Sequence, residues 1–127
     1  MDKKLLITGA IFGVIAIVLG AFAAHGLKTI ISESALQSFE TGVRYQMYHA
    51  FLLLILGSQS VISEKSKKTI YAFIVVGVLL FSGSIYGLST NALTSINFNK
   101  IAMFTPLGGV LLITAWIIML INFLKLK

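Results

Sequence analysis

The chain has 127 residues, 57% of them hydrophobic and 11% charged, with a mean hydropathy of +0.98. Soluble domains carry roughly 25% charged residues, so this composition excludes a water-soluble globule and points to a chain solvated by lipid. The absence of cysteine excludes disulfides, thiolate catalysis and Cys-ligated metals.

Four apolar runs follow one another at about 5–24, 43–62, 70–88 and 106–124. Each reaches the ~20 residues that cross the hydrocarbon core as a helix. The apolar residues are continuous and do not alternate with polar ones, which argues against barrel strands. The reading is a single all-α domain over residues 1–127: a polytopic membrane protein with four transmembrane helices in one bundle. Lys3, Lys4, Ala21, Phe22 and Ala23 also fit a cleaved signal peptide, but the first run exceeds the usual 7–15 apolar residues of such a segment.

The net charge of +6 is a matter of topology and not of nucleic-acid binding. Lys3, Lys4, Lys65, Lys67, Lys68, Lys125 and Lys127 share one side of a four-span chain, and Lys28, Arg44 and Lys100 share the other. The positive-inside rule then places both termini in the cytoplasm.

Within the first run, Gly9 and Gly13, and Gly20 and Ala24, stand four apart, as do Gly83 and Gly87 in the third. Small residues at this spacing let helices approach closely in lipid, which predicts a tightly packed, buried first helix. Ser34-x-x-Gln37 fits a capping box, with Ser32 as the alternative cap. The second helix therefore starts early and continues into the bilayer, with Glu40 and Arg44 four apart and able to pair. Pro106, the single proline, suits the first turn of the fourth helix with Thr105 as its N-cap. A kinked helix from about Ile101 is the alternative.

Apart from Asn122, Ser58, Gln59 and Ser60, this orientation gathers nearly every polar residue in or beside the spans toward the non-cytoplasmic side. Of these, His25, Glu40, Arg44, Tyr45, Gln46, Tyr48, His49, Ser82, Ser84, Tyr86 and Thr105 form the candidate binding layer. An ionisable group such as His49 within a span faces the bundle or a cavity. In the plainest reading it is neutral and bonded to Ser82, Ser84 or Tyr86. Two histidines with only Glu40 near them make no zinc site, and no catalytic or nucleotide-binding motif is present. No cofactor, metal or catalytic residue is assigned.

Four blocks also resemble a known family. They are Gly20-Ala21-Phe22-Ala23-Ala24-His25-Gly26-Leu27, the stretch from Phe39 to Ala50, Phe81-Ser82-Gly83-Ser84-Ile85-Tyr86, and Thr105-Pro106-Leu107-Gly108-Gly109 followed by Trp116. Together they are similar to the YwdK/YgdD-like small bacterial membrane proteins, domain-of-unknown-function family 423. Ala23 departs from the glycine frequent there. The resemblance covers essentially the whole chain. It implies a multi-pass protein of the bacterial plasma (inner) membrane and supplies no activity. The leading functional expectation is a non-enzymatic binding or accessory protein that recognises a lipid headgroup or a membrane partner through the polar layer. A small oligomeric transporter or channel-like protein is the alternative, followed by an intramembrane enzyme using His49 or His25 as proton carrier. The expected partners are membrane lipids, with a homo-oligomer or a membrane-protein partner as the further option.

Overall fold

The computed structural model describes residues 2–93 and 101–127, so Lys100 lies outside the described residues. Four long helices account for most of the chain: α1 (Asp2–His25), α2 (Glu33–Ser58), α3 (Glu64–Ser89) and α4 (Phe104–Leu124). Short 3-10 turns follow α1 at Leu27–Thr29 and α3 at Asn91–Leu93. The stretch Asp2–Thr29, α3 and α4 are long and apolar enough to cross a membrane. α2 has the length, but Glu33, Glu40, Arg44, Gln46 and His49 dilute its first two-thirds.

The helices run antiparallel in sequence order. α1 packs along α2 and α3 along α4, and the α2–α3 contact joins the pairs. At the end that carries the termini, an aliphatic core gathers Leu5, Leu53, Leu56, Ile70, Ile74 and Met119. At the far end a smaller cluster holds Ala23, Leu27 and Phe39, with Tyr86 packed against it.

The expectation of a buried first helix is corrected. α1 exposes Ile11, Val14, Ile17 and Val18 and buries a single stripe, Leu5, Gly9, Ala16 and Ala23. Gly9, Ala16 and Ala23 are seven apart, the two-turn repeat that keeps one seam against a partner helix. A methyl group on Gly9 would stand 2.9 Å from the Ala50 carbonyl oxygen, so small size is required there. Gly20 would meet Val43 at 3.5 Å, whereas Gly13 and Gly83 would meet nothing within 4 Å, so the four-residue spacing located the contacts only in part. The closest approach lies elsewhere. A methyl group on Gly108 would collide with the Phe81 backbone nitrogen and come within 2.8 Å of the Gly77 carbonyl oxygen.

Helix ends refine the remaining boundaries. Ser32, and not Ser34, caps α2 by accepting from the Ala35 N–H at 3.1 Å. α2 stops at Ser58 and not at Ile62. Beyond it the Gln59 side chain accepts from the N–H groups of Val61 and Ile62 at 2.6 and 3.1 Å, fixing a turn in place of further helix. Ser63 caps α3. α4 begins at Phe104 with Met103 as the cap residue, so Thr105 is not its N-cap. Pro106 falls in the first turn, where its nitrogen has no helical partner to lose.

Lys67 was read as a loop cation and is instead a buried residue of α3, 1% exposed. Its ammonium donates to the Asp2 carboxylate at 2.8 Å and to the Gln59 carbonyl at 2.5 Å. This joins the start of α1, the α2–α3 turn and α3 at one end.

Candidate binding site

The predicted polar layer divides into residues tied into the bundle and residues left on its surface. Among the tied residues, Tyr86 donates from its hydroxyl to Gln46 Oε1 at 2.7 Å, and Gln46 Nε2 donates to the Phe12 carbonyl at 2.9 Å. Three helices are thereby linked through one amide. Ser82 donates to the Gly42 carbonyl at 2.7 Å, where α2 and α3 lie close. The Ser84 and Thr105 hydroxyls pair between α3 and α4.

His49 is buried, 4% exposed, but its partners are not the expected ones. Its Nε2 accepts from Trp116 Nε1–H at 3.1 Å, and its Nδ1 lies 2.6 Å from the Tyr45 carbonyl. A proton on Nε2 would face the indole N–H, so this geometry requires the neutral tautomer with the hydrogen on Nδ1. Both ring nitrogens are then engaged, and the pair links α2 to α4 near the middle of α4.

Arg44 and His25 are exposed. The expected Glu40–Arg44 ion pair does not form. Arg44 instead donates to Thr41 Oγ1 at 2.9 Å, a turn back along its own helix. Arg44 is therefore not held inside the bundle. Tyr45 and Tyr48 are 40% and 51% exposed, and their rings are 5.6 Å apart. Tyr45 also meets the Phe81 ring at 5.1 Å.

These rings bound a cleft of about 500 Å³ lined by Tyr45, Tyr48, His49, Phe51 and Trp116. A second cavity of about 320 Å³ shares Tyr45, His49 and Trp116 and continues to Phe81, Gly109 and Leu112. The cleft lies between α2 and α4, with the His49–Trp116 pair in its wall. Arg44, Tyr48, Phe51 and Ile55 follow one another at intervals of four, three and four on α2, so they form one stripe ~16 Å long. All four are exposed. The stripe runs from a cation through aromatic rings to an aliphatic side chain. Among the described residues lining both cavities there is no carboxylate, lysine or serine.

Three residues that shape this region escaped the polar-layer reading: Trp116, Phe51 and Phe12. Trp116 had a signal, since Thr105, Gly109, Leu112 and Trp116 recur at three to four residues on one face of α4. Phe12 contributes only its carbonyl, for which no side-chain pattern exists.

The sequence itself supplies the kinship. The family described as "Protein of unknown function (DUF423)" matches residues 19–109. The "UPF0382 membrane protein" of Haemophilus influenzae is 38% identical over 117 residues, covering 92% of this chain and 90% of its own length. The "UPF0382 membrane protein YwdK" of Bacillus subtilis is 38% identical and covers 97% of this chain and 98% of its own. The "UPF0382 inner membrane protein YgdD" of Escherichia coli is 35% identical over 99% of this chain and 93% of its own. The chain belongs to this family of membrane proteins. No solved structure matches it. The DUF423 match spans every residue of the predicted polar layer and ends before Trp116, whereas the full-length relatives extend across α4.

Proposed function

We propose that this DUF423 protein is a four-span protein of the bacterial plasma membrane, termini in the cytoplasm, that binds a phospholipid at the α2–α4 cleft and acts without catalysis. The observation that carries the reading is the Arg44–Tyr48–Phe51–Ile55 stripe beside the cleft. Its order matches that of a lipid: a cation for the phosphate, the amphipathic Tyr48 ring at the level of the glycerol esters, and Phe51 and Ile55 as an apolar wall for an acyl chain. Aromatic residues with one polar tip suit this boundary. His49 supports a binding role over proton transfer, because Trp116 and the Tyr45 carbonyl already use both its nitrogens.

The four-span reading of α2 rests on its position. It packs between α1 and α3, each long enough to span, and its polar side chains Gln46 and His49 are turned into the bundle and bonded there. Such bonding lowers the penalty of carrying polar groups across lipid. The YgdD relative is named an inner membrane protein, which agrees with this location.

Two measurements test the proposal. Native mass spectrometry of the purified chain with phosphatidylglycerol should show retention that falls about tenfold in Arg44→Gln and Tyr48→Ala, a loss of ~1.4 kcal/mol. Equal retention in wild type and both variants overturns the site. Ser60→Cys, in the α2–α3 turn, and Thr29→Cys, after α1, should react from opposite sides of intact cells with an impermeant thiol reagent. Labelling of both from outside overturns the topology.

A further inference from the structure

A second groove lies at the opposite end of the bundle, between α1 and α3. Its volume is about 460 Å³, and Lys3, Lys4, Ile7, Thr8 and Tyr71 line it. The Lys4 ammonium sits 5.1 Å from the centroid of the Tyr71 ring, within cation–π range. One turn along α1, Thr8 Oγ1 and the Tyr71 hydroxyl are 3.0 Å apart. Ile7 and Ile11, 49% and 50% exposed, continue the wall toward the centre of the molecule.

Charge balance leaves this groove basic. Asp2 is the nearest acid in sequence, and its carboxylate is committed to buried Lys67 at 2.8 Å. Among the described residues, neither Lys3 nor Lys4 has an ion-pair partner. The Thr8–Tyr71 pair has two O–H groups but uses only one of them in the bond between them, so one donor remains for an acceptor in the groove.

We propose that this groove binds the phosphate and glycerol ester of an anionic phospholipid in the leaflet on the side of the termini. The Lys3 and Lys4 ammonium groups take the phosphate. The spare hydroxyl hydrogen of the Thr8–Tyr71 pair donates to an ester carbonyl about one turn, ~6 Å, deeper, and Ile7 and Ile11 face the acyl chain. A basic recess between helices at this level is a recognised setting for anionic headgroups. The site is independent of the α2–α4 cleft, sharing no residue with it.

The test uses the whole chain carrying Arg44→Gln and Tyr48→Ala, so that the cleft contributes little. Native mass spectrometry would compare phosphatidylglycerol with phosphatidylcholine in this background. Each lysine beside an anionic surface is worth roughly fivefold, so adding Lys3→Gln and Lys4→Gln should reduce phosphatidylglycerol retention on the order of 20-fold. The matched charge loss Lys125→Gln and Lys127→Gln, at the same end but outside the groove, should change it by less than about threefold. Tyr71→Phe should cost a further severalfold in retention while lowering the melting temperature by no more than the loss of one interhelical hydrogen bond, as Thr8→Val does. Equal retention of the two lipids, or equal losses in the two double variants, overturns the proposal.

Discussion

The two ends of the bundle are held together in different ways. At the end with the termini, Leu5, Leu53, Leu56, Ile70 and Ile74 interlock as aliphatic side chains, and the charge buried among them, Lys67, is clamped by Asp2 and the Gln59 carbonyl. Toward the far end, the apolar cluster shrinks to Ala23, Leu27 and Phe39, and hydrogen bonds take over: Tyr86 to Gln46 to Phe12, Ser82 to Gly42, Ser84 with Thr105. In lipid, apolar burial gives helices little reason to associate, so shape fit and polar ties carry the association. The termini end relies mainly on fit. The far half relies on ties, whose longer side chains span between helices, and the α2–α4 cleft opens where His49 and Trp116 meet.

The largest expected effect comes from the contact both halves depend on. Gly108→Val would drive a branched side chain into the Phe81 and Gly77 backbone, where nothing flexible can yield. Overpacking typically costs about 1–3 kcal/mol, and nearest contacts that are all backbone put Gly108 at the upper end of that range. The thermal midpoint in detergent should fall sharply or the bundle should fail to form. Gly83→Ala, in open space, should be neutral or slightly stabilising, because alanine favours helix by about 1 kcal/mol. Similar losses in both variants would mean that α3 and α4 do not meet at Gly108.

The clamp at the termini end gives the next effect. Breaking a buried ion pair typically costs ~3–5 kcal/mol, but Asp2 is half exposed, so Asp2→Ala should cost about 1–2 kcal/mol after solvent screening. Adding Lys67→Met removes a buried ammonium that would keep only the Gln59 carbonyl and Glu64, 4.0 Å away, and should recover part of that loss. A double mutant no better than Asp2→Ala would place the stabilisation in the Lys67 stem and not in its charge.

Much of this architecture was legible because lipid imposes long apolar runs. All four helices appear near their expected positions, and the family resemblance holds. The errors concern features that depend on what lies across an interface. Thr105 has the chemistry of a cap, but the chain enters α4 two residues earlier and frees its hydroxyl for Ser84. Glu40 and Arg44 have pairing distance on a helix, yet Thr41 is the nearer partner for the guanidinium. Gly13 and Gly83 fit a packing motif but face no neighbour, whereas Gly108 makes the closest approach, against the Phe81 and Gly77 backbone. His49 was rightly read as a bonded interior histidine, but with the wrong partner, because no sequence rule aligns it with Trp116 across α2 and α4.

In the far half, Gln46→Leu should cost about 1 kcal/mol. It strands the Tyr86 hydroxyl and removes the second partner of the Phe12 carbonyl, which keeps its bond within α1, and interhelical hydrogen bonds in membranes average ~0.6 kcal/mol with a maximum near 1.7. Tyr86→Phe in the same chain should return part of the loss by removing one stranded group. A loss in Gln46→Leu as large as that in Gly108→Val would show that polar ties and not close approach dominate the bundle.

Of the variants that remove an interaction, Arg44→Ala should lose the least stability, and it sharpens the comparison most. Arg44 is exposed and, among the described residues, bonded only to Thr41 within its own helix. Nothing across an interface is stranded when it is removed, so the unfolding free energy should move by no more than about 0.5 kcal/mol. The same substitution should markedly lower phosphatidylglycerol retention if the guanidinium receives the lipid phosphate. Gln46→Leu should do the reverse, lowering the melting midpoint while leaving the surface stripe Arg44–Tyr48–Phe51 intact. Stability and binding would then reside on two faces of α2: one turned inward and bonded, the other turned outward and available to lipid. If Arg44→Ala instead destabilises the bundle by as much as Gln46→Leu, the guanidinium belongs to the ties, and the lipid reading of the stripe loses its cation.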